Sequence, residues 1–298
     1  MTALDLYALC PCGNGKKIKF CKCRDSVSDL EQVTQMIQGG QIVPALDRLS
    51  KIIKSHPDAA WALSLRGQLL METGEKEALT ENSDRFLRLQ PSNPIALTQR
   101  AAAALFQGEV DSAIDYLLEA LAESGQETDR MLISFAGALA DVLFNVERPL
   151  TARVYATLAL LAGESDFARQ QLSQMNQSRR ISLLLKSVPP PLPRPADAAW
   201  GERFDEARGL LQSNKIKLAE TKLASLNRSH PGEPAIVSGL LTCAIWIGNT
   251  QDQSKYLRML SEAELLDMEQ RARYLAMACF VNPQDYFSLN VSVLRGEV

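Results

Sequence analysis

The sequence predicts an all-α fold, with antiparallel helix pairs stacked in series as an α-solenoid behind a small cysteine-rich N-terminal module. Three observations lead there. From about residue 27 onward alanine and leucine dominate, and apolar residues recur at helix spacing in "ALDRLSKIIKSH", "AIDYLLEALAE" and "DEARGLLQS". Gly, Asn or Pro punctuation cuts these runs into short helices. The punctuation also has a period: Gly40, Gly74 and Gly108 are 34 residues apart, as are Pro57 and Pro91, and Arg66 and Arg100.

The first element is "CPCGNGKKIKFCKC", residues 10 to 23, which holds four of the six cysteines. Cys10, Cys12, Cys21 and Cys23 form two Cys-x-Cys pairs separated by eight residues. Four thiolates are the right number and type for a closed tetrahedral zinc site, and the same donors also suit iron. Pro11 presets one backbone angle, and Gly13 and Gly15 allow positive φ, so the chain can fold back over an ion. Amides of that turn can point at the sulfurs. Lys16, Lys17, Lys19, Lys22 and Arg24 more than neutralise the thiolate charge and lower the thiolate pKa values. Ile18 and Phe20 are the bulky apolar residues inside the loop and are expected to pack over the cluster. A segment this small folds together with its metal, ahead of the helices as a rigid docking tip.

The stretch "CPCGNGKKIKFC" closely resembles the SEC-C motif, named after the C-terminal tail of the bacterial preprotein translocase ATPase. That resemblance implies a zinc-binding element that touches other proteins; in the translocase it is associated with an export chaperone and with ribosomes. The family usually has Cys or His directly after the third ligand. Lys22 stands there in this chain, and Cys23 follows one place later. Asn14 replaces the usual serine.

The repeats come next. Thirty-four residues accommodate two helices of about 12 to 14 residues and two turns. Ala45 and Ala113 each follow the turn glycine by five residues, whereas in the second unit Ala78 comes one residue early. "QIVPALDRLSKIIKSHPDA", which starts at Gln41, returns as "KIKLAETKLASLNRSHPGE", which starts at Lys215. Asn214 then takes the turn position, and Gly248 lies 34 residues after it. These units resemble the tetratricopeptide (TPR) family over 27 to 125 and again over about 199 to 262. Between 126 and 186 helices are expected but the period is lost. The two arrays are separated by "SVPPPLPRPADAA", residues 187 to 199. Five prolines in seven positions there cannot continue a helix and predict a polyproline II spacer. The domains expected are therefore 1–25, the zinc-binding module; 26–186, helical repeats; 187–199, a proline-rich linker; and 200–298, a second helical segment.

Function follows from what is present and missing. The net charge of −3 argues against nucleic-acid binding over the whole surface. No run of eighteen apolar residues appears, so no membrane insertion is expected. The start, "MTALDLYALCPC", contains Asp5 and no basic region, unlike a signal peptide, which points to a cytoplasmic location. Phosphate loops, dinucleotide fingerprints, His-Glu-x-x-His and Gly-x-Ser-x-Gly are missing, so no enzyme is expected. His56 and His230 each precede a proline and are expected to close a turn. Trp61, Trp200 and Trp246 are expected to pack, and Cys243 and Cys279 to be buried small hydrophobes. Arg66 and Arg100 occupy equivalent positions on successive first helices, where they either clamp a carboxylate or pack along the seam. The expectation is a non-enzymatic zinc-binding adaptor for protein partners. Its rival is ribosome or RNA contact through the basic lysines of the cysteine loop.

Overall fold

A computed structural model describes residues 5–26, 28–124, 130–161, 169–170, 172–173 and 188–282. Among these residues the regular structure is helical. Two 3₁₀ turns, Ile18–Phe20 and Lys22–Ser26, precede thirteen α-helices. The chain divides into two compact units, 1–135 and 136–298.

The first unit contains α1 (Ser28–Gln38), α2 (Ile42–Ser55), α3 (Ala60–Thr73), α4 (Lys76–Leu89), α5 (Pro94–Phe106) and α6 (Val110–Glu123). Each helix packs against the next, and α3 also packs against α5, so successive first helices stack as in an α-solenoid. The glycine period marks the turns within pairs. Gly40, Gly74 and Gly108 all have positive φ, between 70° and 81°, a backbone conformation that costs an L side chain about 1–2 kcal/mol. The third pair opens on both a cap and a proline: Asn93 accepts from the Ile95 and Ala96 amides, and Pro94 occupies the first helical position. The buried position five residues after each glycine is Ala45, Leu79 and Ala113. The second repeat therefore keeps the register with leucine in place of alanine, and Ala78 is not its counterpart.

The second unit contains most of α7 (Arg130–Asn145), which crosses the boundary, then α8 (Pro149–Leu161), α9 (Gly201–Gln212), α10 (Ile216–Ser229), α11 (Pro234–Ile247), α12 (Thr250–Glu262) and α13 (Met268–Val281). From α9 to α12 it repeats the scheme of α1 to α4. Ala219, Leu223 and Leu226 are buried in α10 at the positions that Ala45, Leu49 and Ile52 hold in α2. Asn214 adopts φ 59° where Gly40 has 70°. His56 and His230 stand at equivalent helix ends, donating their backbone N–H to the Ile52 and Leu226 carbonyls. Trp200 packs edge-on to Phe204 and Trp246 edge-on to Tyr155, and Trp61 is fully buried, so all three tryptophans are packing residues. Cys243 is fully buried, and Cys279 is partly so.

From 188 the proline-rich stretch has no regular secondary structure and lies against its own unit. The Leu192 amide donates to Ser238 Oγ (2.8 Å), Arg194 pairs with Asp205 (2.7 Å), and Val188 and Leu192 pack on the core around Val237 and Leu241. Of the irregular region at 126–186, α7 and α8 are helical as expected; most of 162–187 lies outside the described residues. No helix among the described residues is long and apolar enough to cross a membrane.

Candidate metal centre

The cysteine loop begins as two short antiparallel arms. Leu9 bridges Lys17, the Cys10 amide donates to the Lys16 carbonyl (2.8 Å), and the Ile18 amide to the Ala8 carbonyl (3.0 Å). The tip reverses through Gly13 and Gly15, at φ 73° and 70°. The two 3₁₀ turns then bring the second Cys-x-Cys pair back under the first. As a result Cys10, Cys12, Cys21 and Cys23, drawn from both ends of the loop, place their Sγ atoms within 4.8 Å of one another, all buried.

These sulfurs fit a tetrahedral ion. Zinc–sulfur bonds of about 2.3 Å separate neighbouring sulfurs by about 3.8 Å, and Cys12 Sγ lies 3.6 Å from Cys21 Sγ. The thiols also compete for charge. Cys23 is held low, first by hydrogen bonds from Cys10 and Cys12, with the Trp61 backbone amide contributing. Cys12 is pushed up by its contacts with Cys10 and Cys23 and by burial. At Cys10 the Cys12 hydrogen bond lowers the pKa, but the contact with Cys23 and burial outweigh it and push the thiol up to about 12. Four crowded, buried sulfurs cannot all become anions on their own; a divalent cation removes that conflict.

Two further groups touch the cluster. Asn14 Nδ2 donates to Cys21 Sγ (3.2 Å) while Asn14 Oδ1 accepts the Lys16 amide (3.0 Å). The asparagine that departs from the familiar motif thus supplies a side-chain donor to a sulfur. Ile18 is buried beside the sulfurs as expected, but Phe20 is not: it is 66% exposed. The reason is local, because the 3₁₀ turn directs neighbouring side chains apart, and Ile18 takes the inward position.

The loop does not stand ahead of the helices. Its four cysteines and Ile18 belong to the same buried core as Leu30, Val33, Trp61 and Ile95. Asn93 Nδ2 donates to the Cys12 carbonyl (2.6 Å), and Trp61 Nε1 donates to Ser26 Oγ (2.8 Å). Gly13 sits so close to Ile95 that a Cβ there would lie 2.4 Å from Ile95 Cδ1. Sequence reading missed Asn93 because it lies far along the chain from Cys12, two repeats away. Nothing local in the sequence marks it as a docking partner.

The basic residues remain outside. Lys16, Lys17, Lys19 and Lys22 are exposed or largely so, and Lys19 Nζ donates to Tyr7 Oη (2.8 Å) and lies 4.8 Å from that ring's centre. Leu6, Tyr7, Leu9 and Phe20 are exposed on the same loop. Arg66 and Arg100 follow the seam. Arg66 donates to Asn82 Oδ1 (3.1 Å), and burial lowers its pKa. Arg100 Nε pairs with Asp84 (3.2 Å), and its guanidinium faces Tyr116 at 5.2 Å, while its buried Nη1 has no hydrogen-bond partner among the described residues.

No protein-family model matches this chain, and no curated protein matches it by sequence.

Proposed function

We propose that the protein is a non-enzymatic adaptor in which a zinc ion held by Cys10, Cys12, Cys21 and Cys23 stabilises an SEC-C-like element joined to TPR-like helical repeats, and that these surfaces hold protein partners. The observation that carries the reading is the convergence of four buried sulfurs within 4.8 Å of one another, at the head of helices that pack in series. The ion would supply charge neutralisation and cross-linking. Arg66, Arg100 and the loop lysines are the residues proposed to meet a partner.

A second reading is supported by the exposed lysines and by the exposed rings of Tyr7 and Phe20 on the loop. Phosphate contacts plus ring stacking suit RNA or a ribosome surface. The two separate by experiment. Metal content of the purified protein tests the ion; stoichiometric zinc is expected, and a metal-free folded protein rejects it. Titration of the full chain with a single-stranded RNA at rising salt tests the second reading, because phosphate contacts weaken steeply with salt. The adaptor reading expects no salt-sensitive RNA binding.

A further inference from the structure

We infer that metal occupancy is coupled to the helical array through the N-termini of α3 and α5, so that the cysteine loop acts as a metal-dependent clamp on two successive repeats. The inference rests on reading the four sulfurs as a metal site.

The argument begins with helix ends. The first amides of a helix lack internal partners and need an external acceptor. At α5 the Asn93 side chain provides one through Oδ1, accepting from Ile95 (2.9 Å) and Ala96 (3.1 Å). At α3 the residue before the helix is Ala59, which has no capping side chain. There Trp61, the second residue of the helix, instead reaches the cysteine loop through its side chain, Nε1 donating to Ser26 Oγ (2.8 Å).

The two ends are joined through the loop. Asn93 caps α5 with its oxygen and holds the Cys12 carbonyl with its nitrogen. Trp61 grips Ser26 at the end of the second 3₁₀ turn, three residues past Cys23. Ile95 is pressed against Gly13 between the first ligand pair and the lysines. Both flanks of the ligand set are therefore tied to the opening turns of α3 and α5, which pack on each other.

The coupling extends along these helices to the polar seam. The Leu63 carbonyl in α3 accepts from Asn82 Nδ2 (2.8 Å), and the Ser64 carbonyl from Gln99 Nε2 (2.9 Å). Asn82 Nδ2 also meets Gln99 Oε1 (3.0 Å), and Asn82 Oδ1 holds Arg66. Gly67 leaves the space for Gln99, whose Cδ would lie 2.0 Å from a Cβ there. Loosening the first turns of α3 and α5 moves both sides of this network. Metal binding then fixes how Arg66 is presented.

Coupling free energy is reciprocal, which yields two measurements on the full chain. In the first, zinc is removed by a chelator at neutral pH and returned as Zn²⁺ alone, while metal content and backbone hydrogen exchange are followed together. Exchange at 60–66 and 94–99 is expected to rise at least about tenfold and to recover with zinc, while the equivalent turn at 234–240 stays unchanged. Zinc loss without a change at 60–66 and 94–99 overturns the coupling and leaves the metal site standing. A protein that never holds metal overturns both. In the second, Asn93→Ser keeps an oxygen cap for α5 but loses the nitrogen that holds Cys12. Its zinc affinity is expected to fall about 10–100-fold. An unchanged affinity in a folded N93S protein overturns the clamp.

Discussion

The two helical units use one scheme and begin it differently. In the first, α3 starts at Ala60, with no capping side chain and no proline, and Trp61 at its second position closes on the cysteine loop. In the second, the equivalent helix α11 starts at Pro234 and has Ala235 at that position. A proline at the first helical position removes one unpaired donor and presets the backbone angle, so the helix opens without outside help. The comparison shows that the turns belong to the repeat and the head of the array does not. The first unit's leading pairs borrow their order from the sulfur cluster; the second unit carries its own.

The largest expected effect breaks that borrowing. Cys12→Ser or Cys21→Ser is expected to remove the metal and cost the first unit more than about 4 kcal/mol, since loss of a metal belongs to the most damaging class of substitution. Trp61 is the only tryptophan before residue 200. Its fluorescence during urea unfolding therefore reports the first unit, and Trp200 and Trp246 report the second. The first transition is expected to move and the second to stay. Equal movement of both would show that the cluster has no special claim on its own unit.

Next in size is Trp61→Ala. It empties a fully buried site and removes the bond to Ser26, which is expected to cost about 3–5 kcal/mol. The equivalent position in the second unit is already alanine, so the variant tests whether that economy can be carried to the first. Zinc added in excess is expected to recover only part of the loss, because the cavity remains. Full recovery would show that Trp61 serves metal binding alone.

A smaller and symmetric effect is expected at the turns. Gly74→Ala and Gly248→Ala each place a side chain at φ near 73° and 82°, and each is expected to cost about 1–2 kcal/mol. Thermal unfolding of the two variants should show similar losses, one per unit. A markedly unequal pair would mean that the turns are not equivalent after all.

What could be read from the sequence follows the same division. The turns were legible because a positive φ leaves a mark at one residue: Gly40, Gly74, Gly108 and Gly248 fall where the repeat period puts them. The clustering of the four cysteines was legible because their spacing is local. Leu79 was missed because a period sought in alanine does not see a leucine filling the same buried place. Phe20 was misplaced because apolar character does not say which side of a 3₁₀ turn faces in. The seating of the loop on Asn93, Trp61 and Ile95 was invisible for a different reason: it joins residues one or two repeats apart through single contacts with no recurring pattern. The sulfurs advertise their chemistry locally, and the scaffold that receives them does not.

The smallest expected effect sharpens the comparison at one position. Leu46 packs partly buried against the first core, and its counterpart in α10 is Glu220. Burial raises the Glu220 pKa, the nearby Asp252 raises it further, and Lys217 partly opposes them. Because the charged form is the one disfavoured in the folded state, Glu220's own contribution to the second unit is most favourable below the ordinary carboxylate pKa. That contribution is lost as pH rises through the raised folded value. Glu220→Gln removes the charge and is expected to stabilise the second unit at pH 8 by no more than about 0.5 kcal/mol, since Glu220 keeps contact with water and screening is strong there. At pH 4 the carboxyl is protonated in much of the population, and the gain is expected to shrink towards zero. Unfolding followed through Trp200 and Trp246 at both pH values measures the difference. A gain that is the same at pH 4 and pH 8 would assign it to packing, and Glu220 would then be a poor fit for its site by shape, whatever its charge.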